Sequence, residues 1–142
     1  MLAAQQLTYA ECEQYLPLRD GDVVFVIKLH DGDTCTLAWV DHRGKKVRSS
    51  CRISGIDTPE IRGSSEEEKS LAVKAKDKLE KALVGQFATV RNPRQEKYGR
   101  VLCDLETSAI ASIKAHMLSD ASICHPYDGG KKEPWLSPVE LK

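Results

Sequence analysis

The stretch DVVFVIKLHDGDTCTLAWVDHRGKKVRSSCRIS at residues 22–54 decides the fold, because it contains three strands separated by two short turns. Residues 22–30 are rich in β-branched side chains, which favour a strand. Residues 34–40 predict a second strand, and residues 46–54 alternate apolar with polar side chains at the period of a half-buried third strand. Both connections contain Asp and Gly, as tight turns commonly do.

The second and third strands predict a cluster of charged side chains. Folding their hairpin about its centre sets Thr34 opposite Arg52, so Asp33 and Arg52 become cross-strand neighbours. The chain then turns and delivers Asp57 and Glu60 back to the same end of the sheet. Acidic and basic groups are therefore expected to converge on one small patch.

These residue types suit the hydrolysis of a phosphodiester. A hard cation such as Ca²⁺ takes oxygen ligands, and two aspartates plus a loop carbonyl leave positions for water and a substrate phosphate. Arginine suits the phosphate because its planar fork holds two oxygens and keeps its proton. A carboxylate beside the cation, here Glu60, can accept a proton from the attacking water, which is typically worth about 10²–10⁴-fold in rate.

Each motif of this set also has a purely structural explanation. The motifs are DGDT at 31–34, Arg52, DTPE at 57–60 and KYGR at 97–100. DGD is a common turn, Asp-Thr-Pro-Glu is typical of a helix start, and KYGR is typical of a glycine-containing hairpin turn. Their joint occurrence in this order is what favours a catalytic site.

The strings VIKLHDGDT, CRISGIDTPEIRG and KYGRVL resemble the staphylococcal (thermo)nuclease family, and the resemblance runs from about Val23 to Tyr127. It implies an α+β fold, a five-stranded OB-fold β-barrel with two or three helices. It also implies Ca²⁺-dependent hydrolysis of DNA or RNA, preferentially single-stranded, that leaves 3′-phosphates.

The resemblance assigns a metal site and a base. Asp33 and Asp57 correspond to the carboxylate ligands of a catalytic Ca²⁺, and Thr58 corresponds to a residue that supplies a backbone carbonyl ligand. Glu60 corresponds to the presumed general base. All four positions carry the residue type that the family pattern requires.

The resemblance also assigns residues to the substrate. Arg52 and Arg100 correspond to the two arginines that bind the scissile phosphate. Lys97 and Tyr98 match positions that contact the terminal phosphate of a bound nucleotide. Tyr127 aligns, to within one or two residues, with a tyrosine of the family that stacks on a base.

The remaining chain predicts two helices and two more strands. Ser64 or Ser65 with a glutamate three residues later forms a capping box that opens a helix. Residues 86–92 and 99–105 predict two further strands, and Ser108 is expected to cap a second helix.

A chain of 142 residues suits one barrel domain with one core. We assign an N-terminal extension to residues 1–20, a nuclease-like OB-fold domain to 21–127 and a C-terminal tail to 128–142. Lys plus Arg equals Asp plus Glu at 21 each, so the chain has no net basic field. Basic residues nevertheless cluster at 43–52 and 91–100, which favours a nucleic-acid ligand, with solvated surface charge as the alternative for any one lysine.

The five cysteines form no CxxC pair, and their odd number favours a reducing compartment with buried thiols. Cys35 and Cys51 face each other in the predicted hairpin, where a disulfide is an open but less favoured alternative. The sequence shows no secretory signal and no segment able to span a membrane, so we expect an intracellular protein.

Two other classes of function stay open. The first is a catalytically idle nuclease-like module that binds nucleic acid or a protein partner. Tandem nuclease-like domains of transcription coactivators are similar, but they typically lack several catalytic residues that this chain retains. The second is a structural component of a larger assembly that keeps a vestigial site.

Overall fold

Five strands close into a barrel in the order β1-β2-β3-β6-β5, and two helices and a short two-stranded sheet complete the fold. The computed structural model describes residues 7–12, 15–62, 65–96 and 99–135. Its elements are β1 Val23–Asp31, β2 Thr34–Val40, β3 Lys46–Ile53, β4 Ile56–Asp57, α1 Glu66–Leu83, β5 Phe87–Gln95, β6 Val101–Glu106, α2 Ile113–Leu118 and β7 His125–Pro126. The α+β barrel with two helices expected from the sequence is confirmed.

The β2–β3 hairpin has the register that its sequence predicts. Thr34 pairs with Arg52, and Cys35 pairs with Cys51. Strand β3 then closes the barrel by pairing in parallel with β6, where Arg52 lies beside Leu102. Alternate β3 side chains enter the core, so the side chain of Cys51 is fully buried while Arg52 lies on the outer face.

The cysteines of the barrel are free thiols. Cys35 and Cys51 are buried and unbonded, so the alternative of a disulfide between them is not observed. The Sγ of Cys51 instead lies 3.4 Å from the Sγ of Cys103 on β6. These thiols fill the barrel core as small apolar side chains do.

Helix α1 fixes the turn that precedes Asp33. It begins after Ser65, whose hydroxyl accepts a hydrogen bond from the Glu68 N–H, and it packs against β1. A Cβ on Gly32 would lie 2.7 Å from the Ala75 Cβ of this helix. Only glycine therefore lets the β1–β2 turn approach α1 so closely.

Two predicted boundaries are wrong. The second helix is capped by Ser112, not by Ser108, because the Thr107 hydroxyl accepts the N–H groups of Ala109 and Ile110 and holds them in a turn. Strand β5 continues to Gln95, where the sequence predicted a loop, because an irregularity between Arg91 and Arg94 accommodates the proline at position 93.

The short β4–β7 pair is absent from the sequence prediction. It sets Ile56 opposite Pro126 and Asp57 opposite His125, so the chain after α2 lies against the DTPE segment. The segment from β7 to Trp135 is thereby brought to the mouth of the barrel. Neither described helix is long and apolar enough to cross a membrane.

Candidate active site

Two aspartates from different parts of the chain meet one arginine at the barrel mouth. Asp33 follows the β1–β2 turn, Asp57 lies in β4, and Arg52 extends from β3 between them. The Arg52 Nη2 lies 3.6 Å from the Asp33 Oδ2 and 3.7 Å from the Asp57 Oδ1. The same nitrogen donates to the Ile56 carbonyl oxygen at 3.4 Å. The cross-strand neighbourhood predicted from the hairpin is present.

Both carboxylates are largely withdrawn from water. Asp33 is 8% exposed and Asp57 is 3% exposed. Burial raises the pKa of Asp33 above its usual value, and the Arg52 guanidinium and the Thr34 hydroxyl offset this only in part. The negative charge of Asp57 raises the pKa of Asp33 further. A second cation at this pair would therefore stabilise its ionised form.

Thr58 adds further oxygen atoms to this buried pair. The residue is 2% exposed, and its hydroxyl has no hydrogen-bond partner among the described residues. A Cβ on Gly32 would lie 3.0 Å from this hydroxyl, so the two aspartate-bearing segments pack directly against each other. Thr58 therefore lies where the segments that carry Asp33 and Asp57 meet.

Glu60 lies further out and contacts a residue that the sequence did not predict. Its side chain is 61% exposed, and its Oε1 lies 3.3 Å from the Lys132 Nζ. The same ammonium lies 3.4 Å from the Asp57 Oδ1. Partial burial lowers the pKa of Lys132, but Asp57 and Glu60 outweigh it, so its pKa lies above the usual value.

Lys132 belongs to the predicted C-terminal tail at 128–142, whose function the sequence did not indicate. Its one signal is the run Gly129-Gly130-Lys131-Lys132, in which a turn precedes two adjacent cations. Nothing in that run identifies the carboxylates as partners, because the contact depends on the β4–β7 pairing.

Tyr127 lies between the two cations of the site. Its ring centroid is 5.1 Å from the Arg52 Cζ and 5.7 Å from the Lys132 Nζ, distances typical of cation–π contacts. The Tyr127 N–H donates to the Gly55 carbonyl, and the hydroxyl donates to the Gly130 carbonyl. These bonds hold the aromatic ring at the edge of the carboxylate cluster.

Arg100, the second predicted phosphate ligand, pairs with an acid outside this cluster. The Arg100 Nε lies 2.8 Å from the Glu96 Oε2, and among the described residues Arg100 makes no ion pair with either aspartate. Its backbone precedes β6 by one residue, two positions before the partner of Arg52. Lys97 and Tyr98 lie outside the described residues, so their predicted contacts stay predictions.

A metal ion would find few protein ligands here. In residues 7–12, 15–62, 65–96 and 99–135, no group of three or more His, Cys, Asp or Glu side chains is arranged to hold a metal. The candidate set is two carboxylates and the oxygen atoms of Thr58. Such a set suits a hard cation that keeps several positions for water or substrate.

Comparison with known protein families assigns this chain to a family. The model of the staphylococcal nuclease homologue family matches residues 50–128, more than half of the chain. This chain belongs to the staphylococcal nuclease homologue family. A search of curated proteins found no match.

The family match covers the predicted site unevenly. It spans Arg52, the DTPE segment, Arg100 and Tyr127, but it begins after Asp33. The inclusion of Asp33 in the cluster therefore depends on the β2–β3 register and on its distance to Arg52, not on the family match. Membership in this nuclease family makes a nucleic acid the general class of ligand.

Proposed function

We propose that this protein is a Ca²⁺-dependent endonuclease that hydrolyses phosphodiester bonds of single-stranded DNA or RNA and leaves 3′-phosphates. One observation carries the proposal: two desolvated carboxylates, Asp33 and Asp57, face each other across a single guanidinium. Structural acids are rarely buried as a pair, because each carboxylate disfavours ionisation of the other. Perturbed, buried titratable groups at a barrel mouth are typical of functional sites.

The residues present fit a hard divalent cation. Asp33, Asp57 and the backbone carbonyl of Thr58 would hold it, and the unpartnered Thr58 hydroxyl adds a buried polar atom at the same place. Oxygen donors without nitrogen or sulfur favour Ca²⁺ or Mg²⁺ over softer metals. A bound divalent cation supplies Lewis-acid polarisation of a phosphoryl oxygen.

The chain's own residues divide the remaining work. Arg52 binds the scissile phosphate and stabilises the charge that grows on its oxygens, for which its position between the carboxylates is suitable. Glu60, exposed beside Asp57, accepts the proton of the attacking water once Lys132 leaves its carboxylate. Tyr127 offers a ring face at the cluster edge on which a base can stack.

Arg100 acts as the second phosphate ligand in this proposal, as the family resemblance implies. To do so it must exchange Glu96 for the phosphate, a modest change for an arginine that precedes its strand and is about one-third exposed. Lys97 and Tyr98 are assigned to the terminal phosphate of the bound strand on the resemblance alone.

A second candidate function is a catalytically idle module that binds nucleic acid. The observation that favours it is the Lys132 ammonium, which lies within 3.4 Å of both Asp57 and Glu60, where a cation and a water molecule are needed. If this contact persists when nucleic acid binds, the protein binds without cleaving.

A cleavage assay with a 5′-labelled single strand separates the two candidates. We expect cleavage in Ca²⁺, none in EDTA, and a loss of about 10²–10⁴-fold in Glu60→Gln. Glu80→Gln, an exposed glutamate on helix α1, is the matched control and should cleave like the wild type. Binding without cleavage by folded wild-type protein in Ca²⁺ would reject the nuclease and leave the idle module.

A further inference from the structure

Strand β3 carries a line of cations along the outer face of the barrel. Successive strand residues face opposite sides, so Lys46, Arg48 and Ser50 share the face of Arg52, while Cys51 points into the core. Lys46 and Arg48 are exposed. We call Lys46, Arg48 and Arg52 the β3 basic row.

The strand beside this row contributes no negative charge. The cross-strand partners of the row and of Ser50 are uncharged, namely Thr34, Thr36, Ala38 and Val40. On β1, Lys28 pairs with Thr36 and adds another cation, whereas Asp31 pairs with Thr34 at the end that holds the carboxylate cluster. The row therefore leads from an acidic site along a strand whose β2 partners are uncharged, and the two acids that border the same pocket as Arg48, Asp22 and Asp41, form no ion pair with it.

Three other arginines on or next to the barrel strands have carboxylate partners, whereas Arg94 on β5 has none among the described residues. Arg43 pairs with Asp41, Arg91 with Asp20 and Glu106, and Arg100 with Glu96. In the described part of the chain, neither Lys46 nor Arg48 lies within ion-pair distance of an acid. The outer two cations of the row, Lys46 and Arg48, therefore carry charge that no described acid pairs with, whereas Arg52 is paired with the two aspartates of the site.

We propose that the β3 basic row binds the phosphates of a single nucleic-acid strand that extends away from the scissile bond. The inference rests on the proposed function, because Arg52 is the point where the row meets the reacting phosphate. Arg48 lies four residues from Arg52 and Lys46 lies six, about 13 Å and about 20 Å along a strand. Such a span corresponds to the lower end of the roughly 4–16 nucleotides that one OB fold contacts.

Charge complementarity favours a polyanion over solvated charge. Lys46 and Arg48, which have no acidic partner among the described residues, repel each other in the free protein, and a bound polyanion relieves that repulsion. A single line of side chains contacts one backbone, and the small partner Ala38, which is only half-buried, leaves room beside Arg48. A nucleic-acid strand is also the one polyanion that continues from the site at Arg52.

The test compares two double variants that lose the same charge. Lys46→Gln/Arg48→Gln removes the outer part of the row, and Lys74→Gln/Lys81→Gln removes two exposed lysines from helix α1. Binding of labelled dT16 and of a thymidine dinucleotide is measured in EDTA over a range of NaCl concentrations, with thermal unfolding as the check on folding.

We expect the row variant to bind dT16 about tenfold more weakly at low salt. Its slope of log K against log salt should be less steep by about 1.4, because two phosphate contacts are lost at about 0.7 each. The row variant should bind the dinucleotide like the wild type. The helix variant should match the wild type in both dT16 affinity and salt slope.

Each other outcome is decisive. If the row variant and the wild type bind dT16 with equal affinity and equal salt slope, the proposed role of the β3 basic row is wrong. Cleavage by the wild type would then still support the proposed nuclease activity. Wild-type protein that binds dT16 through the row but never cleaves loses the proposed catalysis and keeps the row. A wild type that binds no strand overturns both proposals. Oligoglutamate that binds the row as tightly as dT16 assigns it to an acidic protein instead.

Discussion

The β2–β3 hairpin has an aspartate at each end, and the two differ in where their partners come from. Asp41 accepts hydrogen bonds from the N–H groups of Arg43 and Lys45 and from the Arg43 guanidinium, all within its own turn. Asp33 accepts a local bond only from the Thr34 hydroxyl, and its other neighbours, Arg52 and Asp57, come from distant segments.

The two environments move the acid strengths in opposite directions. Desolvation raises the pKa of Asp41, but the hydrogen bonds from Lys45 and Arg43 together outweigh it, so the pKa lies below its usual value. At Asp33 burial prevails and the pKa lies above it. A turn aspartate satisfied by its own loop stabilises the fold, whereas an aspartate with a raised pKa costs stability when ionised and is available to an incoming cation.

The largest expected effect is a difference in cleavage rate between variants of these two aspartates. Asp33→Asn should lower the rate of single-strand cleavage by about 10²–10³-fold, because it removes a carboxylate from the proposed cation site. Asp41→Asn should cleave like the wild type and unfold at a slightly lower temperature. Initial rates and thermal midpoints measure both, and equal rates for the two variants would remove the distinction.

Asp33→Asn also tests the sign of the pKa shift. An acid whose folded pKa is raised contributes least to stability once pH exceeds that folded pKa, because the folded state then holds an unfavourable charge. Neutralising it should therefore leave the thermal midpoint in EDTA at pH 7 unchanged or higher. A clear fall in that midpoint would show that the Asp33 charge stabilises the fold.

The next largest effect is a difference in stability between variants of Arg52 and Arg43, the arginines at the two ends of the hairpin. Arg52→Ala should lower the free energy of unfolding in EDTA by about 3 kcal/mol, because it leaves the buried Asp33 without a cation and Asp57 with Lys132 alone. Added Ca²⁺ should restore much of that loss. Arg43→Ala removes a side chain that is 63% exposed and should change stability little, with or without Ca²⁺. Urea unfolding in both conditions makes the comparison.

The glycines of the two turns, Gly32 and Gly44, extend the comparison of the two hairpin ends. Gly32→Ala should cost about 1–3 kcal/mol, because its new Cβ would collide with the Ala75 Cβ and crowd the Thr58 hydroxyl. In Gly44→Ala the new Cβ would have no atom within 4 Å, so only the backbone φ of +76° destabilises the variant, by roughly 1 kcal/mol. Cleavage should fall in Gly32→Ala alone. Loss of activity in Gly44→Ala would extend the site to the far turn.

The smallest predicted effect concerns the tail. Lys132→Gln should bind Ca²⁺ about two- to fivefold more tightly, because a partly exposed ion pair of this kind is worth less than about 1 kcal/mol. Lys131→Gln changes the adjacent lysine, which makes no ion pair with a described residue, and should leave the affinity as in the wild type. Weaker Ca²⁺ binding in Lys132→Gln would contradict competition between the ammonium and the cation.

Local patterns account for most of what the sequence predicted correctly. The period of two in β3 and the short turn at Gly44 fix the register that joins Asp33 to Arg52, and the Ser65 cap fixes the start of α1. The start of α2 was missed because Thr107, Ser108 and Ser112 can all cap, and only the tertiary fold selects among them.

The contribution of Lys132 was beyond sequence reasoning for a different reason. Its contacts depend on two residue pairs between β4 and β7, too short a ladder to leave a periodic signal. The pairing of Arg100 with Glu96 is likewise a choice between nearby partners that spacing cannot make. Contacts between segments far apart in the chain were predictable only where a hairpin linked them.

Calorimetric titration of Ca²⁺ shows whether Asp33 and Asp57 together form a cation site. We predict one ion bound per wild-type chain, none in Asp33→Asn/Asp57→Asn, and wild-type binding in Asp41→Asn. Undiminished Ca²⁺ binding by the folded double variant would contradict it.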